Sequence, residues 1–203
     1  MDVMEGRSAR RTQIERRSET ERKVLDAAVA LIADGGSRHL SLAEVGRVAG
    51  YSRGIVNHQF GTKNQLLEAV VRATQQFDVP EVAGTGLDRL TIVVETYLGT
   101  LPARAPQWKA FLLLWADAIA GDPVLAPIYQ ERDTWFRTLL ADLVRDGVSD
   151  GSIRRDVDAD STALSLLGML RGISLQLMSS AKEASAAAIS ALATDMVRRG
   201  LQA

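Results

Sequence analysis

The residues best suited to contact another molecule lie in one short stretch, SRGIVNHQFGTK, at residues 52–63. Arg53 carries a guanidinium group that can form two hydrogen bonds with the edge of a guanine base. Gly54 lets the backbone come close to a bound molecule because it has no side chain. Ile55 can contact a thymine methyl group. These residue types indicate contact with a DNA groove, although Arg53 and Ile55 are also explained as ordinary surface residues.

Helix-capping signals on both sides of this stretch predict short helices that would hold it in place. Ser41 and Glu44 have the spacing of a capping box, in which two side chains satisfy free amides at a helix start. Gly50 ends that helix, Ser52 caps the next one, and residues 62–65 repeat the capping-box spacing. Two helices joined by a short turn that contains glycine form a helix-turn-helix, whose second helix can enter a DNA major groove.

Other side chains around the turn are expected to contact the DNA backbone. Lys63 lies in the first turn of a helix, where its charge opposes the helix dipole, and contact with a phosphate would offset that effect. Ser41 and Ser52 are explained equally well as helix caps without any contact to DNA. The residues predicted to bind DNA are Ser41, Tyr51, Ser52, Arg53, Gly54, Ile55, Asn57, His58, Gln59 and Lys63.

Most aromatic residues lie in the second half of the chain, where Trp108, Phe111, Leu112 and Trp115 share one helical face. Such a face packs in a hydrophobic core, or it lines a small-molecule cavity together with a few polar groups. The sequence is compatible with both interpretations. The candidate ligand-binding residues are Tyr97, Trp108, Phe111, Leu112, Trp115, Tyr129 and Trp135, and the candidate polar partners are Glu95, Gln107, Asp117 and Arg132.

The last two predicted helices are rich in Ala, Gly and Ser, which allow helices to approach closely. Pairing of these helices with those of a second copy would give a four-helix bundle with two-fold symmetry. The alternative is that they are buried against their own domain. The residues predicted to form a dimer interface are Leu164, Leu167, Gly168, Arg171, Gly172, Leu175, Leu192 and Met196.

The composition favours a protein built from long helices. The chain has 203 residues, of which 46% are hydrophobic and only five are prolines, and apolar residues recur at helical spacing. We therefore predict an all-α fold of about nine helices. We expect a flexible basic arm at residues 1–18, the helix-turn-helix domain at 19–76 and a second helical domain at 87–203, after a linker that contains Pro and Gly.

Several classes of function lack the residues that they require. The chain has no Cys, and His39 and His58 have no spaced partners of the kind that metal sites use. Asp156, Asp158 and Asp160 are better explained as loop and helix-capping residues than as metal ligands. No nucleophile motif or phosphate-binding glycine loop is present. We therefore expect no metal, no cofactor and no enzymatic activity.

Charge and hydropathy point to a cytoplasmic protein with a nucleic-acid partner. Residues 1–76 carry twelve basic and nine acidic side chains, whereas residues 77–203 carry twelve and sixteen. DNA binding depends on local charge, so this modest asymmetry agrees with a DNA-binding N-terminal domain. No apolar run is long enough to span a membrane, and the N-terminus lacks the apolar core of a signal peptide.

The helix-turn-helix segment resembles the TetR (tetracycline-repressor-like) family of bacterial regulators. The matching residues are Ala27, Ala28, Gly36, Ser41 and Leu42, then AGYSRG at residues 49–54, and then Phe60, Lys63, Leu66 and Leu67. Family members usually have an aromatic residue, most often Tyr, where this chain has Asn57, and often His or Tyr where it has Gln59. An amide at these positions can still hydrogen-bond a phosphate or a base edge.

The second half of the chain is more weakly similar to the BetI-type subgroup of that family. The similarity lies in Trp108, in Asp122 and Pro123, and in the GSIRRDVD loop at residues 151–158. The resemblance implies a small-molecule cavity among the helices that precede the last two. It also implies a dimer interface on the last two helices.

These features together predict a homodimeric, ligand-responsive transcriptional repressor. Its two recognition helices would enter successive major grooves of a near-palindromic, double-stranded DNA operator. A small-molecule effector in the second domain would release the DNA. One alternative is a DNA-binding activator or constitutive regulator without a ligand cavity. Another is a small-molecule-binding or catalytic helical protein whose helix-turn-helix is only structural.

Overall fold

A computed structural model describes residues 13–74, 79, 81–179 and 185–203, and these residues form nine α-helices and a short 3-10 helix, Ser37–His39. The helices are α1 (Gln13–Gly35), α2 (Leu42–Ala49), α3 (Arg53–Phe60), α4 (Lys63–Thr74), α5 (Gly86–Gly99), α6 (Ala105–Ile119), α7 (Leu125–Asp150), α8 (Ala159–Ser179) and α9 (Ala186–Leu201). Within this part of the chain the only β-type pairing is an isolated bridge between Ile153 and Gln202. The predicted all-α fold is confirmed.

Helices α1 to α4 form a small N-terminal head. One fully buried valine from each of three helices, Val24, Val45 and Val70, contributes to its core. Helix α1 begins at Gln13, so residues 13–18 are helical although the sequence places them in a flexible arm. They are rich in Gln, Glu and Arg, which form helices well without an apolar face. Residues 1–12 of the predicted arm lie outside the described residues.

The capping signals in the head are formed in part. At residues 62–65 the box is complete, because the Gln65 amide donates to the Thr62 hydroxyl (3.3 Å) and the Thr62 amide donates to the Gln65 side chain (2.8 Å). At the start of α2 only the serine half is present. Glu44 instead accepts two hydrogen bonds from Arg47, which lies three residues later on the same face of α2.

Helices α5 to α9 form a larger C-terminal body. Helices α5 and α7 approach so closely that a Cβ atom at Gly86 would lie 2.1 Å from the Gly147 amide nitrogen. Arg198 of α9 pairs with Asp88 of α5 at 3.0 Å, which fixes the last helix on the other side of α5. Helix α6 connects the body to the head, because it packs against α1 and α4 as well as α7.

Candidate DNA-binding surface and ligand cavity

The start of α3 is an exposed edge of the helix-turn-helix. Gly50 adopts a left-handed conformation (φ 77°) that ends α2. The Ser52 hydroxyl then accepts a 3.3 Å hydrogen bond from the Ile55 amide and caps α3. Val56 is fully buried and anchors the helix, whereas residues 53–55 are exposed. The head therefore presents the first turn of α3 to the surroundings and holds the rest of the helix by its apolar side.

Gly54 has no packing role inside the protein. A Cβ atom added at this position would come no closer than 3.7 Å to another side-chain atom, the Ser52 hydroxyl oxygen. Glycine within a helix is less favourable than alanine by about 1 kcal/mol. The packing of the head within the described residues therefore does not require a glycine at this position.

Gly46, which the sequence motifs do not single out, sets the distance between α2 and the turn. A Cβ atom there would lie 2.8 Å from the Tyr51 carbonyl oxygen and 3.3 Å from the Arg53 amide nitrogen. Both atoms belong to the backbone and cannot rotate away. This role could have been predicted from the sequence, because Gly46 lies inside a helix only eight residues long. A glycine within a helix usually indicates close packing at that position.

Three polar residues at the end of α3 differ in whether their side chains already form hydrogen bonds within the protein. The Asn57 side chain donates a 2.9 Å hydrogen bond to the Gly61 carbonyl and closes the helix. His58 is exposed and Gln59 is half-buried, and within the described residues neither side chain forms a hydrogen bond. The side chains of His58 and Gln59 therefore remain available to an external partner, whereas the side chain of Asn57 is already hydrogen-bonded at the end of α3.

Two further predicted DNA-binding residues also have roles within the head. The Ser41 hydroxyl accepts a 3.1 Å hydrogen bond from the Glu44 amide and caps α2. Tyr51 is half-buried, and its hydroxyl accepts a 3.4 Å hydrogen bond from the Thr20 hydroxyl of α1. These contacts fix the turn against α1 and α2.

A chain of contacts joins the head to α6. The Lys63 ammonium group donates to the Ser37 carbonyl oxygen at 3.1 Å. The hydroxyl of the same serine donates to the Asp117 carboxylate at 2.5 Å. Asp117 lies on α6, two residues after Trp115. The 3-10 helix that precedes α2 is therefore tied both to a predicted DNA-binding residue and to the C-terminal body.

A cavity of about 550 Å³, which is open to the surface on one side, lies between α6, α7 and α8. Its walls are mainly apolar, with contributions from Trp115, Ala118, Ile119, Tyr129, Leu167 and Leu175. Its charged lining residues are Asp133, Arg137 and Arg171. The volume lies within the range of small-molecule sites, and the combination of apolar walls with a few polar groups is typical of them.

Of the seven aromatic and aliphatic residues predicted to bind a ligand, Trp115 and Tyr129 line this cavity. Trp108, Phe111 and Leu112 are buried beside Tyr97 in the core of the body. Ring centroids there are 4.7 Å apart for Tyr97 and Trp108, and 5.2 Å apart for Phe111 and Tyr129. Trp135 is 47% exposed and is not among the residues that line the cavity.

The candidate polar partners are also distributed over different places. Glu95 is exposed. Gln107 lines a separate groove of about 480 Å³ between α1, α4 and α6. Asp117 contacts the head, as described above. Arg132 is half-buried, and its guanidinium group lies 5.4 Å from the ring centre of Phe111. Burial lowers the pKa of Arg132.

Asp133, which no sequence motif indicates, pairs with Arg171 at the wall of the cavity. Both carboxylate oxygens accept hydrogen bonds from the guanidinium group, one of them at 2.6 Å. Arg171 is only 9% exposed although its position in the sequence suggests a dimer interface. Its guanidinium group also lies 4.7 Å from the ring centre of Trp115. Burial raises the pKa of Tyr129, whose hydroxyl donates to the Phe111 carbonyl at 2.9 Å.

The other residues of the predicted dimer interface are exposed, apart from Leu167, which is buried. These exposed residues lie on α8 and α9, and the set is called the stripe. The apolar members of the stripe are Leu164, Leu175, Leu192 and Met196. Gly168 and Gly172 are exposed between them. A Cβ atom at either glycine would meet no atom of the described chain within 4 Å.

Two further observations on the described residues concern metal ions and membranes. These residues contain no group of three or more His, Cys, Asp or Glu side chains that could hold a metal ion. None of the helices built from them has the length and apolar character needed to cross a membrane.

Fold and sites together define a class of protein: a DNA-binding regulator with a helix-turn-helix head and a helical body that contains a cavity. Residues 24–70 match the family described as bacterial regulatory proteins of the tetR family, and residues 86–202 match the C-terminal domain of BetI-type transcriptional repressors. The chain belongs to the TetR family of transcriptional regulators, and its second domain is of the BetI type. Members of this family are regulators and not enzymes.

Curated relatives support the same assignment. The chain is 31% identical over 133 residues to the HTH-type transcriptional regulator BetI of Escherichia coli, a match that covers 61% of this chain and 65% of that protein. It is 27% identical over 193 residues to BetI of Klebsiella pneumoniae, with 89% and 93% covered.

Solved structures show that the fold is shared. A transcriptional regulator from Saccharomonospora viridis in complex with choline has a TM-score of 0.76 and 24% identity, with 92% of this chain and 99% of that chain covered. FadR from Bacillus subtilis in complex with stearoyl-CoA has a TM-score of 0.76 and 18% identity, with 88% and 98% covered. At these identities the similarity concerns the fold alone.

Proposed function

We propose that this TetR-family regulator is a homodimeric repressor that binds a near-palindromic operator and is released by a small-molecule effector. The exposed first turn of α3 carries this proposal. Arg53 and Ile55 project from it, and Gly54 has no packing role within the chain. A helix with this surface can enter a major groove and bring its backbone close to DNA.

The exposed stripe on α8 and α9 supports the dimer. Leu164, Leu175, Leu192 and Met196 are all more than half exposed, although large apolar side chains usually avoid water. Gly168 and Gly172 leave room for a second helix to come close. A two-fold dimer through this stripe would place two α3 helices for two half-sites of one operator.

The contacts of α6 support release by an effector. Trp115 and Ala118 line the cavity, and Asp117 between them accepts the hydrogen bond from Ser37. A ligand that binds best to a shifted position of α6 would therefore change the position of the head. Such a ligand alters DNA affinity only if it binds the two arrangements with different free energies.

Fluorescence anisotropy with the DNA immediately upstream of the chain's own gene tests the proposal, at two salt concentrations and with unrelated competitor DNA. We expect tight binding that resists the competitor and weakens steeply with salt, because phosphate contacts release counterions. Sedimentation of the complex should show two chains on each operator. Binding that does not change with salt would contradict this interface. If no fragment upstream of the gene binds, selection from genomic fragments finds the operator, and failure there also contradicts the proposal.

A further inference from the structure

We propose that the cavity between α6, α7 and α8 binds an organic anion that consists of a carboxylate and an apolar body. The inference rests on the proposed function, because it assigns a chemical class to the effector of the same site. It is drawn from the charges and aromatic faces that the chain leaves free in this cavity and from those that it already uses.

The charge that remains free in the lining is positive. Asp133 is the single acidic lining residue, and both of its carboxylate oxygens accept hydrogen bonds from Arg171. Arg137 lies four residues after Asp133 on α7 and is exposed at the cavity. Within the described residues Arg137 has no ion pair and no hydrogen bond. A ligand that enters therefore meets one neutralised pair and one available guanidinium group.

Two aromatic residues line the cavity, Trp115 and Tyr129, and the ring of Trp115 already has a guanidinium group of the chain over it. Arg171 lies 4.7 Å from the ring centre of Trp115 and 6.0 Å from that of Phe111. Arg132 lies 5.4 Å from Phe111 and 6.0 Å from the ring centre of Phe136. Cations bind aromatic rings through the ring face within about 6 Å. An ammonium ligand at Trp115 would have to displace Arg171, and the carboxylate of the lining residue Asp133 is already paired with that arginine.

The remaining walls suit a hydrocarbon chain. Ala118, Ile119, Leu167 and Trp115 line the cavity, and so do Leu164 and Leu175 of the stripe, which the proposed second copy would cover in the dimer. The guanidinium of Arg137 can bind a carboxylate through two parallel hydrogen bonds, which are stronger than hydrogen bonds between neutral groups. An apolar chain along α8, with its carboxylate at Arg137, satisfies both parts of the site.

Three probes that each contain a ten-carbon chain test the inference: decanoate, decanol and decyltrimethylammonium. Their affinities are measured by isothermal titration calorimetry with the full chain, below the concentrations at which each forms micelles. We expect decanoate to bind at least about tenfold more tightly than either other probe, since a charge-assisted hydrogen bond exceeds that ratio. Arg137→Gln should reduce decanoate affinity to that of decanol. Arg155→Gln removes the same charge from an exposed arginine outside the cavity and should leave the affinity unchanged.

Equal or tighter binding of the ammonium probe would overturn the inference, as would unchanged decanoate affinity in Arg137→Gln with a native circular dichroism spectrum. Absence of binding by all three probes would overturn it as well. Operator binding is measured separately and without ligand, so these results leave the DNA-binding part of the proposed function standing. Decanoate that binds through Arg137 without releasing the operator would support the site and contradict release.

Discussion

The first turn of α3 and the wall of the cavity use arginine in opposite ways. Arg53 is exposed and, within the described residues, forms no ion pair or hydrogen bond, so its donors are available to a partner. Arg171 is buried, and both of its terminal guanidinium nitrogens donate to Asp133. A surface that meets polyanionic DNA gains from uncommitted charge. A charge beside a hydrophobic core must be neutralised within the chain, because burying it alone is unfavourable.

The largest expected effect comes from removing the cation from the buried pair. Arg171→Met leaves the Asp133 carboxylate beside the cavity without its partner, and we expect the free energy of unfolding to fall by about 3 kcal/mol. Urea denaturation followed by circular dichroism measures the change. The double variant Arg171→Met with Asp133→Leu should recover most of the loss. A single variant as stable as the parent chain would show that the pair is not needed to neutralise the wall.

Gly46→Ala tests whether the surface of α3 depends on the packing beneath it. The added methyl group would lie 2.8 Å from the Tyr51 carbonyl oxygen, so the turn must move. We expect a loss of stability of about 1–3 kcal/mol together with weaker operator binding. Denaturation and anisotropy titrations measure the two effects. Normal operator affinity in this variant would mean that the angle between α2 and α3 tolerates change.

Arg53→Ala separates binding from stability at the exposed site. We expect operator affinity to fall by about 1–3 kcal/mol and specificity to relax at one base pair. Stability should change by less than about 0.5 kcal/mol, because the side chain is exposed. Arg155→Ala is the matched control outside the head. If Arg53→Ala weakens binding to all sequences equally, Arg53 contacts a phosphate and not a base.

Ser37→Ala tests the connection between the two sites. The change removes the hydroxyl that donates to Asp117 and keeps the carbonyl that accepts from Lys63. We expect unchanged operator affinity without ligand and a reduction of about 0.5–2 kcal/mol in the coupling between ligand and DNA. Operator titrations with and without saturating decanoate measure this coupling free energy. Unaltered release would show that the signal does not pass through this contact.

Gly54→Ala is expected to stabilise the fold slightly while it weakens operator binding. A methyl group there has room, so the free energy of unfolding should rise by up to about 1 kcal/mol from better helix propensity. Operator affinity should fall, because the methyl group keeps the helix away from the DNA backbone. Retained affinity would mean that the DNA does not approach α3 at this position. The opposite stability changes in Gly46→Ala and Gly54→Ala make each variant a control for the other.

The contrast between the surface of α3 and the cavity also explains how much of the molecule could be predicted from its sequence. The candidate DNA-binding surface is local: Gly50, Ser52 and the turn between them follow from capping rules that act over a few residues. The helices of the body follow from apolar periodicity and from breaks such as Asp122, whose carboxylate caps α7. Their type and order were therefore predictable.

The cavity was harder to predict because its lining comes from three helices that are distant in sequence. Helical spacing places Trp108, Phe111 and Trp115 on one face, but it does not show that Phe111 is buried in the core while Trp115 reaches the cavity. The pair of Asp133 and Arg171 joins positions 38 residues apart, and no local rule connects them. Such pairs depend on how α7 and α8 pack.

Gly168 and Gly172 belong to two candidate sites at once, and this has a consequence for more than one molecule. Both line the cavity and both lie on the stripe through which we propose that two copies pair. In a single chain the fold leaves these positions free to change, so under our proposal the constraints on them come from the effector and from the second copy. A gene duplicate that acquires a new side chain at either glycine would change its chemical signal and its pairing preference in one step. Sister regulators could then diverge in the same cell without forming mixed dimers.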